Sequence, residues 1–169
     1  MKENQLTPAN SNGKLSAVPN RRFEPILCTL AACIALVGLG DTIYLTVQHL
    51  KGENVECLAA AGCETVLGSS YAAIGKIPLA GFGAAAYFAV FGLATLVAFG
   101  RAWATTWYLS LVGAMLGVTF WLLYLQAFIL RAFCDFCLLS AALTTALSAI
   151  GVAIFFVGRQ QSVAPLKYR

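Results

Sequence analysis

Residues 134–157 read CDFCLLSAALTTALSAIGVAIFFV, a Cys-x-x-Cys pair followed by the uncharged apolar run Leu138–Val157. A helix needs roughly 20 apolar residues to cross the hydrocarbon core of a bilayer, and this run is long enough. Two further uncharged runs of sufficient length are Leu79–Phe99 and Trp103–Leu130. A fourth run, Ile26–Leu50, is apolar except for Asp41, Gln48 and His49. The sequence therefore predicts four transmembrane helices.

The composition agrees with a membrane protein. Of 169 residues, 60% are hydrophobic and only 11% are charged, whereas about a quarter of the residues in soluble domains are charged. We expect an all-α integral membrane four-helix bundle over residues 26–157, with helices at about 26–50, 79–99, 103–131 and 134–157. Residues 1–25 are predicted to form a disordered tail and residues 158–169 a short second tail, with no separate soluble domain.

The predicted loop between the first two helices, residues 51–78, is the only sizeable one. It is too short and too poor in apolar side chains to form a core of its own. Its segment Ser69–Gly75 is predicted to form a short amphipathic helix that lies on the bundle. Ser69 or Ser70 would cap this helix, and Gly75 would end it.

The distribution of Lys and Arg predicts the orientation of the bundle. With four helices, eight of these residues lie on one side and three, Lys51, Lys76 and Arg131, lie on the other. An excess of positive charge marks the cytoplasmic side, so we expect both termini in the cytoplasm. The net charge of +4 is a signal of topology and needs no nucleic-acid partner to explain it.

This orientation brings four cysteines together on the outer face: Cys57, Cys63, Cys134 and Cys137. Disulfides form and persist on that side of the membrane. The start of a helix favours a thiolate at the Cys-x-x-Cys pair; Arg131 would assist its ionisation and Asp135 would oppose it. Two neighbouring dithiols can exchange through a mixed disulfide. The alternatives are a structural disulfide or a zinc site; the five-residue gap of the loop pair is atypical of zinc, and no metal is predicted.

Other polar residues of the spans are weaker candidates. Asp41 is an ionisable residue inside an apolar helix, which by default suggests a function, and the alternative is a buried hydrogen bond. His49 fits an interfacial residue near the end of its helix. Cys28 and Cys33, in the inner half of the first helix, fit small packing residues.

The spacing of these residues resembles a known family. The order is Cys57-x5-Cys63, Val66-Leu67, Ser69, Tyr71, Ile77-Pro78, Gly83, Tyr87 and finally Cys134-x-x-Cys137, with Asp41-Thr-Ile-Tyr44-Leu45-Thr46 in the first helix. This order resembles the vitamin K epoxide reductase family, specifically its bacterial members. The resemblance covers roughly residues 36–140.

The resemblance implies a four-helix bundle around a quinone (ubiquinone or menaquinone) in the bacterial cytoplasmic membrane. It implies a membrane oxidoreductase that forms disulfides in a separate thioredoxin-like partner. Cys134 and Cys137 would be the active-site pair, with Cys137 beside the quinone; Cys63 would attack Cys134, and Cys57 would meet the partner. Ser69 resembles a family position near the active site. Phe133, Phe136 and Tyr87 are further candidates for contact with the quinone.

Two alternatives come from other classes of protein. The first is a non-enzymatic membrane protein stapled by two disulfides. The second is a transmembrane carrier of reducing equivalents, which would need a working cysteine pair within the membrane, and Cys28 and Cys33 are the candidates. The chain has Ala141 and Leu79 at positions where the mammalian enzymes of the family carry Tyr and Asn, so epoxide reduction is not part of the prediction.

Overall fold

A computed structural model of the chain describes residues 23–51, 62–69, 72–74 and 77–163. Five α-helices, one π-helix and two very short strands make up this part of the chain. In chain order they are α1 Phe23–Lys51, α2 Cys63–Leu67, β1 Ala73–Ile74, β2 Ile77–Pro78, α3 Leu79–Ala98, α4 Ala102–Tyr124, the π-helix Leu125–Leu130 and α5 Asp135–Val163.

Four of these helices are long and apolar enough to cross a membrane. The spans are Pro25–Lys51, Leu79–Ala98, Ala102–Leu130 and Asp135–Val157. The first packs most extensively on α3 and also contacts α5, while α4 packs against α3 and α5. Many large apolar side chains point outward, as expected for helices that face lipid rather than water. The predicted all-α four-helix bundle is confirmed.

Small residues let the helices of the bundle approach closely. A Cβ atom at Gly38 would overlap the ring of Tyr87, so glycine there makes room for the tyrosine of α3. The buried Tyr87 hydroxyl lies 2.9 Å from Ser140 Oγ and 3.1 Å from Thr144 Oγ1, both on α5. Close backbone approach and interhelical hydrogen bonds are what hold helices together where water is absent. This cluster joins α1, α3 and α5.

The described part of the loop between α1 and α3 differs from its prediction. The short helix is α2, Cys63–Leu67, and not Ser69–Gly75, because Ala73–Ile74 is a strand that pairs antiparallel with Ile77–Pro78. The Ser69 hydroxyl donates to the carbonyl oxygen of Val66 at 2.7 Å. Ser69 thus closes the helix before it instead of capping one after it.

The winding of the fourth-helix segment changes after the C-terminal end of α4. Leu125–Leu130 forms a π-helix, and Arg131 ends it in the left-handed region at φ 50°. Single π-turns within longer helices often occur at functional sites. The N–H of Ala132 then donates to the carbonyl oxygen of Gln126 at 3.2 Å, which turns the chain sharply toward Cys134. At the other face, α5 continues past Val157 to Val163.

Candidate active site

The Cys-x-x-Cys pair lies at the start of α5 as two free thiols that hydrogen-bond to one another. Cys134 immediately precedes the helix, and its carbonyl oxygen accepts from the N–H of Leu138 at 3.0 Å. Its own N–H donates to the side-chain oxygen of Gln126 at 3.1 Å. The Gln126 amide also interacts with the Cys137 sulfur. One buried glutamine thus holds both members of the pair.

The surroundings of Cys134 favour its thiolate. The hydrogen bond from the Cys137 thiol is the main reason that the pKa of Cys134 falls to about 7, and the N–H groups of Cys137 and Phe136 lower it further. Burial and the charge of Asp135 oppose the shift. The helix start and Asp135 act as predicted. The side chain of Arg131 is exposed, and hydrogen bonds rather than this cation account for the lowered pKa.

A third cysteine packs against the pair from the loop. Cys63, Val66 and Cys134 form one buried cluster, and Cys137 packs on its edge. Cys63 is disulfide-bonded. Cys57, predicted to pair with it, lies outside the described residues.

Gly62 explains how the loop comes so close to Cys134. A Cβ atom at this position would lie 2.5 Å from the carbonyl oxygen and 2.8 Å from the nitrogen of Phe133. Both are backbone atoms, which cannot rotate away as a side chain can. The absence of a side chain at Gly62 therefore lets the start of α2 touch the segment that precedes Cys134.

A cavity of about 470 Å³ lies next to Cys137, between the halves of the four spanning helices that are nearest the cysteine pair. Its lining is mainly apolar, with side chains from α1, α3, α4, the π-helix and α5. Of the residues predicted to contact a quinone, Cys137, Phe136, Ser69 and Tyr87 line this cavity. Phe133 is not part of the lining, and its side chain is about half exposed.

Sequence-based prediction missed two residues of the site, Gln126 and Gly62. Gln126 lies within the uncharged run Trp103–Leu130, and a polar side chain in a spanning helix is itself a signal of function. Gly62 directly precedes Cys63, but its close approach to Phe133 depends on the folded loop. Asp41 lines the cavity together with Cys137, so it lies in the site and not apart from the sulfurs.

The remaining two cysteines do not face one another. Cys28 is buried in the core of the bundle, whereas Cys33 is exposed on the outside of α1. Five residues correspond to about 140° around an α-helix, which explains why the two point in different directions. A transmembrane carrier that works through Cys28 and Cys33 gains no support from this arrangement.

Four spanning helices that hold a dithiol between a loop cysteine and an apolar cavity define a membrane oxidoreductase that acts on thiols. The comparison of families agrees with this class. The sequence model of the vitamin K epoxide reductase family matches residues 29–152, which is most of the chain. The chain belongs to this family, and the predicted resemblance is confirmed. Membership indicates a multi-pass membrane oxidoreductase of thiols and quinones.

Proposed function

We propose that this protein is a quinone-dependent thiol oxidase that supports disulfide-bond formation in a separate thioredoxin-like protein. One observation carries the proposal: Cys134 and Cys137 have different neighbours. Cys134 packs against the loop cysteine Cys63, while Cys137 lines the apolar cavity. The dithiol thus has one sulfur on the side of the thiol partner and one on the side of the acceptor.

The electrons move by a relay of thiol–disulfide exchanges. The reduced partner attacks the Cys57–Cys63 disulfide and leaves oxidised, which gives a loop dithiol. The Cys63 thiolate then attacks Cys134 of the Cys134–Cys137 disulfide and releases Cys137. Attack by Cys57 on the mixed disulfide restores the loop disulfide and leaves Cys134 and Cys137 as thiols. Each step breaks one S–S bond and forms another.

The low pKa of Cys134 suits this position in the relay. A thiol with a pKa of about 7 is substantially ionised at neutral pH, and the thiolate is the reactive form. When Cys137 gives up its electrons, Cys134 is therefore ready to close the disulfide. The Gln126 side chain holds the backbone of Cys134 in place during this change.

The cavity fits the quinone that we propose as the second substrate. Small-molecule pockets are mostly apolar, with a few placed polar groups, and this one combines apolar walls with Asp41, Gln126 and Cys137. When bound, a quinone supplies a two-electron acceptor. Phe136 and Ser69 would contribute to its binding. Tyr87 would act mainly through shape, because its hydroxyl is engaged by α5.

The distribution of Lys and Arg supports an orientation with both termini in the cytoplasm of a bacterial cell. The cysteines of the relay would then lie at the outer face of the inner membrane, where partner proteins are oxidised. In this proposal Cys57 is the residue that meets the thioredoxin-like partner.

The test uses the purified full-length protein with reduced thioredoxin and a short-chain ubiquinone or menaquinone. We expect quinone reduction, followed by its absorbance, to be matched by thioredoxin oxidation and to be lost in Cys134→Ala and in Cys137→Ala. In Cys137→Ala, the Cys134 thiolate should attack the Cys57–Cys63 disulfide at Cys63 and release Cys57 as a thiol. The resulting Cys63–Cys134 disulfide should be detected by mass spectrometry of unreduced peptides. Cys33→Ala serves as a matched control and should retain activity, because Cys33 is exposed outside the site.

Two results would contradict the proposal. Quinone reduction that persists without Cys134 and Cys137 would exclude the relay. If the disulfides resist mild reduction and the unchanged protein does not oxidise thioredoxin, the disulfides are structural and the protein is not an enzyme of this kind.

A further inference from the structure

Asp41 lines the same cavity as Cys137. The two residues also interact electrostatically. The ring of Tyr44, one turn further along α1, packs on the ring of Phe136 with centroids 5.7 Å apart. Residues three apart lie on neighbouring parts of one helix face. Two contacts therefore bring this part of α1 to the start of α5.

One oxygen of the Asp41 carboxyl group has no hydrogen-bond partner in the described part of the chain. This atom, Oδ2, is buried. Buried polar atoms that serve structure are nearly always hydrogen-bonded. An ionisable group inside a membrane is also costly to retain. An unpaired carboxyl oxygen in a cavity is thus placed to interact with what enters the cavity.

We infer that Asp41 is a catalytic residue that carries a proton between Cys137 and the quinone. This inference rests on the proposed function. Oxidation of the dithiol breaks two S–H bonds and forms one S–S bond, and reduction of the quinone forms two O–H bonds, so two electrons and two protons are transferred. Asp41 takes the proton from the Cys137 thiol and gives it to a carbonyl oxygen of the quinone. The second proton balances the one lost by Cys134 and exchanges through water.

The other titratable groups on the described lining are less suited to this step. They are His49, Tyr87 and Cys137 itself, and no Lys or Arg is among them. The hydroxyl of Tyr87 is bound by Ser140 and Thr144. His49 is exposed and lies eight residues beyond Asp41 on α1, about 12 Å along the helix. Asp41 is therefore the acid–base group of the described lining best placed to exchange a proton with Cys137.

The test compares Asp41→Asn and Asp41→Glu with the unchanged full-length protein, and Thr29→Val is the matched control. Thr29 is an exposed polar residue of the same helix, and its hydroxyl donates to Pro25 outside the cavity. Pre-reduced protein is mixed with a short-chain ubiquinone in a single turnover. We expect Asp41→Asn to reduce the quinone at least about 100-fold more slowly, the lower range for a general acid–base group. Asp41→Glu should recover part of the rate, and Thr29→Val should react normally.

A second measurement needs no quinone. Infrared difference spectra between the dithiol and disulfide forms should contain a carboxyl band that disappears in Asp41→Asn, because Asp41 receives the proton of Cys137. The rate at which reduced thioredoxin reduces the Cys134–Cys137 disulfide should stay within about twofold in the same variant. The S–S bond is attacked at Cys134, which packs against Cys63, and this attack needs no proton from Asp41.

The outcomes separate the inference from the proposed function. If the unchanged protein exchanges thiols but never reduces a quinone, the proposed function is wrong. If it reduces the quinone and Asp41→Asn does so within twofold, with the infrared band retained, only the inference on Asp41 is overturned. Loss of thiol exchange in Asp41→Asn, or full recovery of its rate at high ubiquinone concentration, would also overturn it, by showing a structural or a binding role.

Discussion

Gly62→Ala tests how the loop reaches the dithiol. The added methyl carbon would lie 2.5 Å from the carbonyl oxygen of Phe133, 2.8 Å from its nitrogen and 3.0 Å from Cβ of Ala132. Carbon atoms at van der Waals contact are about 3.5 to 4.0 Å apart, so the start of α2 must move by roughly 1 Å. Overpacking of this kind destabilises a protein by about 1–3 kcal/mol.

Gly62→Ala should also slow the transfer of electrons from the loop to Cys134. Cys63 is the next residue, and it packs against Cys134. A displacement of about 1 Å in a reacting group can slow a reaction by about 100-fold. We therefore expect Gly62→Ala to slow formation of the Cys63–Cys134 disulfide by about 10- to 100-fold.

The measurement follows this mixed disulfide over time in a Cys137→Ala background, by mass spectrometry after acid quenching. Gly113→Ala is the matched control, because nothing lies within 4 Å of a Cβ atom built at Gly113. Direct quinone reduction by the pre-reduced Gly62→Ala protein should be normal, since Cys137 is not displaced. If the Cys63–Cys134 disulfide forms within twofold of its rate in Cys137→Ala alone, the close approach of the loop to Phe133 is not what brings Cys63 to Cys134.

Three further predictions concern the surroundings of the dithiol. Gln126→Leu leaves the buried N–H of Cys134 without its acceptor, so the free energy of unfolding in detergent should fall by about 1–3 kcal/mol; an unchanged denaturation midpoint would contradict this role. Cys137→Ala removes the hydrogen bond that stabilises the Cys134 thiolate, so the pKa of Cys134 should rise from about 7 toward its ordinary value of 9, as followed by thiolate absorbance between pH 5 and 10; a midpoint that stays near 7 would show another cause. Tyr87→Phe loses the hydrogen bonds to α5 and should lower stability by about 0.6–1.7 kcal/mol, the range for interhelical hydrogen bonds in membranes, with quinone reduction retained; loss of activity without loss of stability would give the hydroxyl a chemical role.

The membrane bundle and the position of the Cys-x-x-Cys pair at a helix start could be predicted from local properties of the sequence. An uncharged run such as Leu138–Val157 can span a bilayer because each residue contributes its own transfer free energy, whatever its neighbours in space. Spacing alone also places Cys134 and Cys137 one turn apart at a helix start. The outer loop was predicted less well, because Ser69 could cap a following helix or close a preceding one. The contact with Val66 decides between these in the folded chain.

The site depended on contacts between distant segments. The sequence by itself determined the four spans, the family pattern and the Cys-x-x-Cys pair at a helix start, since hydrophobicity and cysteine spacing are properties of the linear chain. Only the tertiary structure decided that Gln126 holds Cys134, that Gly62 admits the loop, and that Asp41 shares a cavity with Cys137. These three relations join residues from different helices or loops, and the direction in which each side chain points is fixed only when the helices pack.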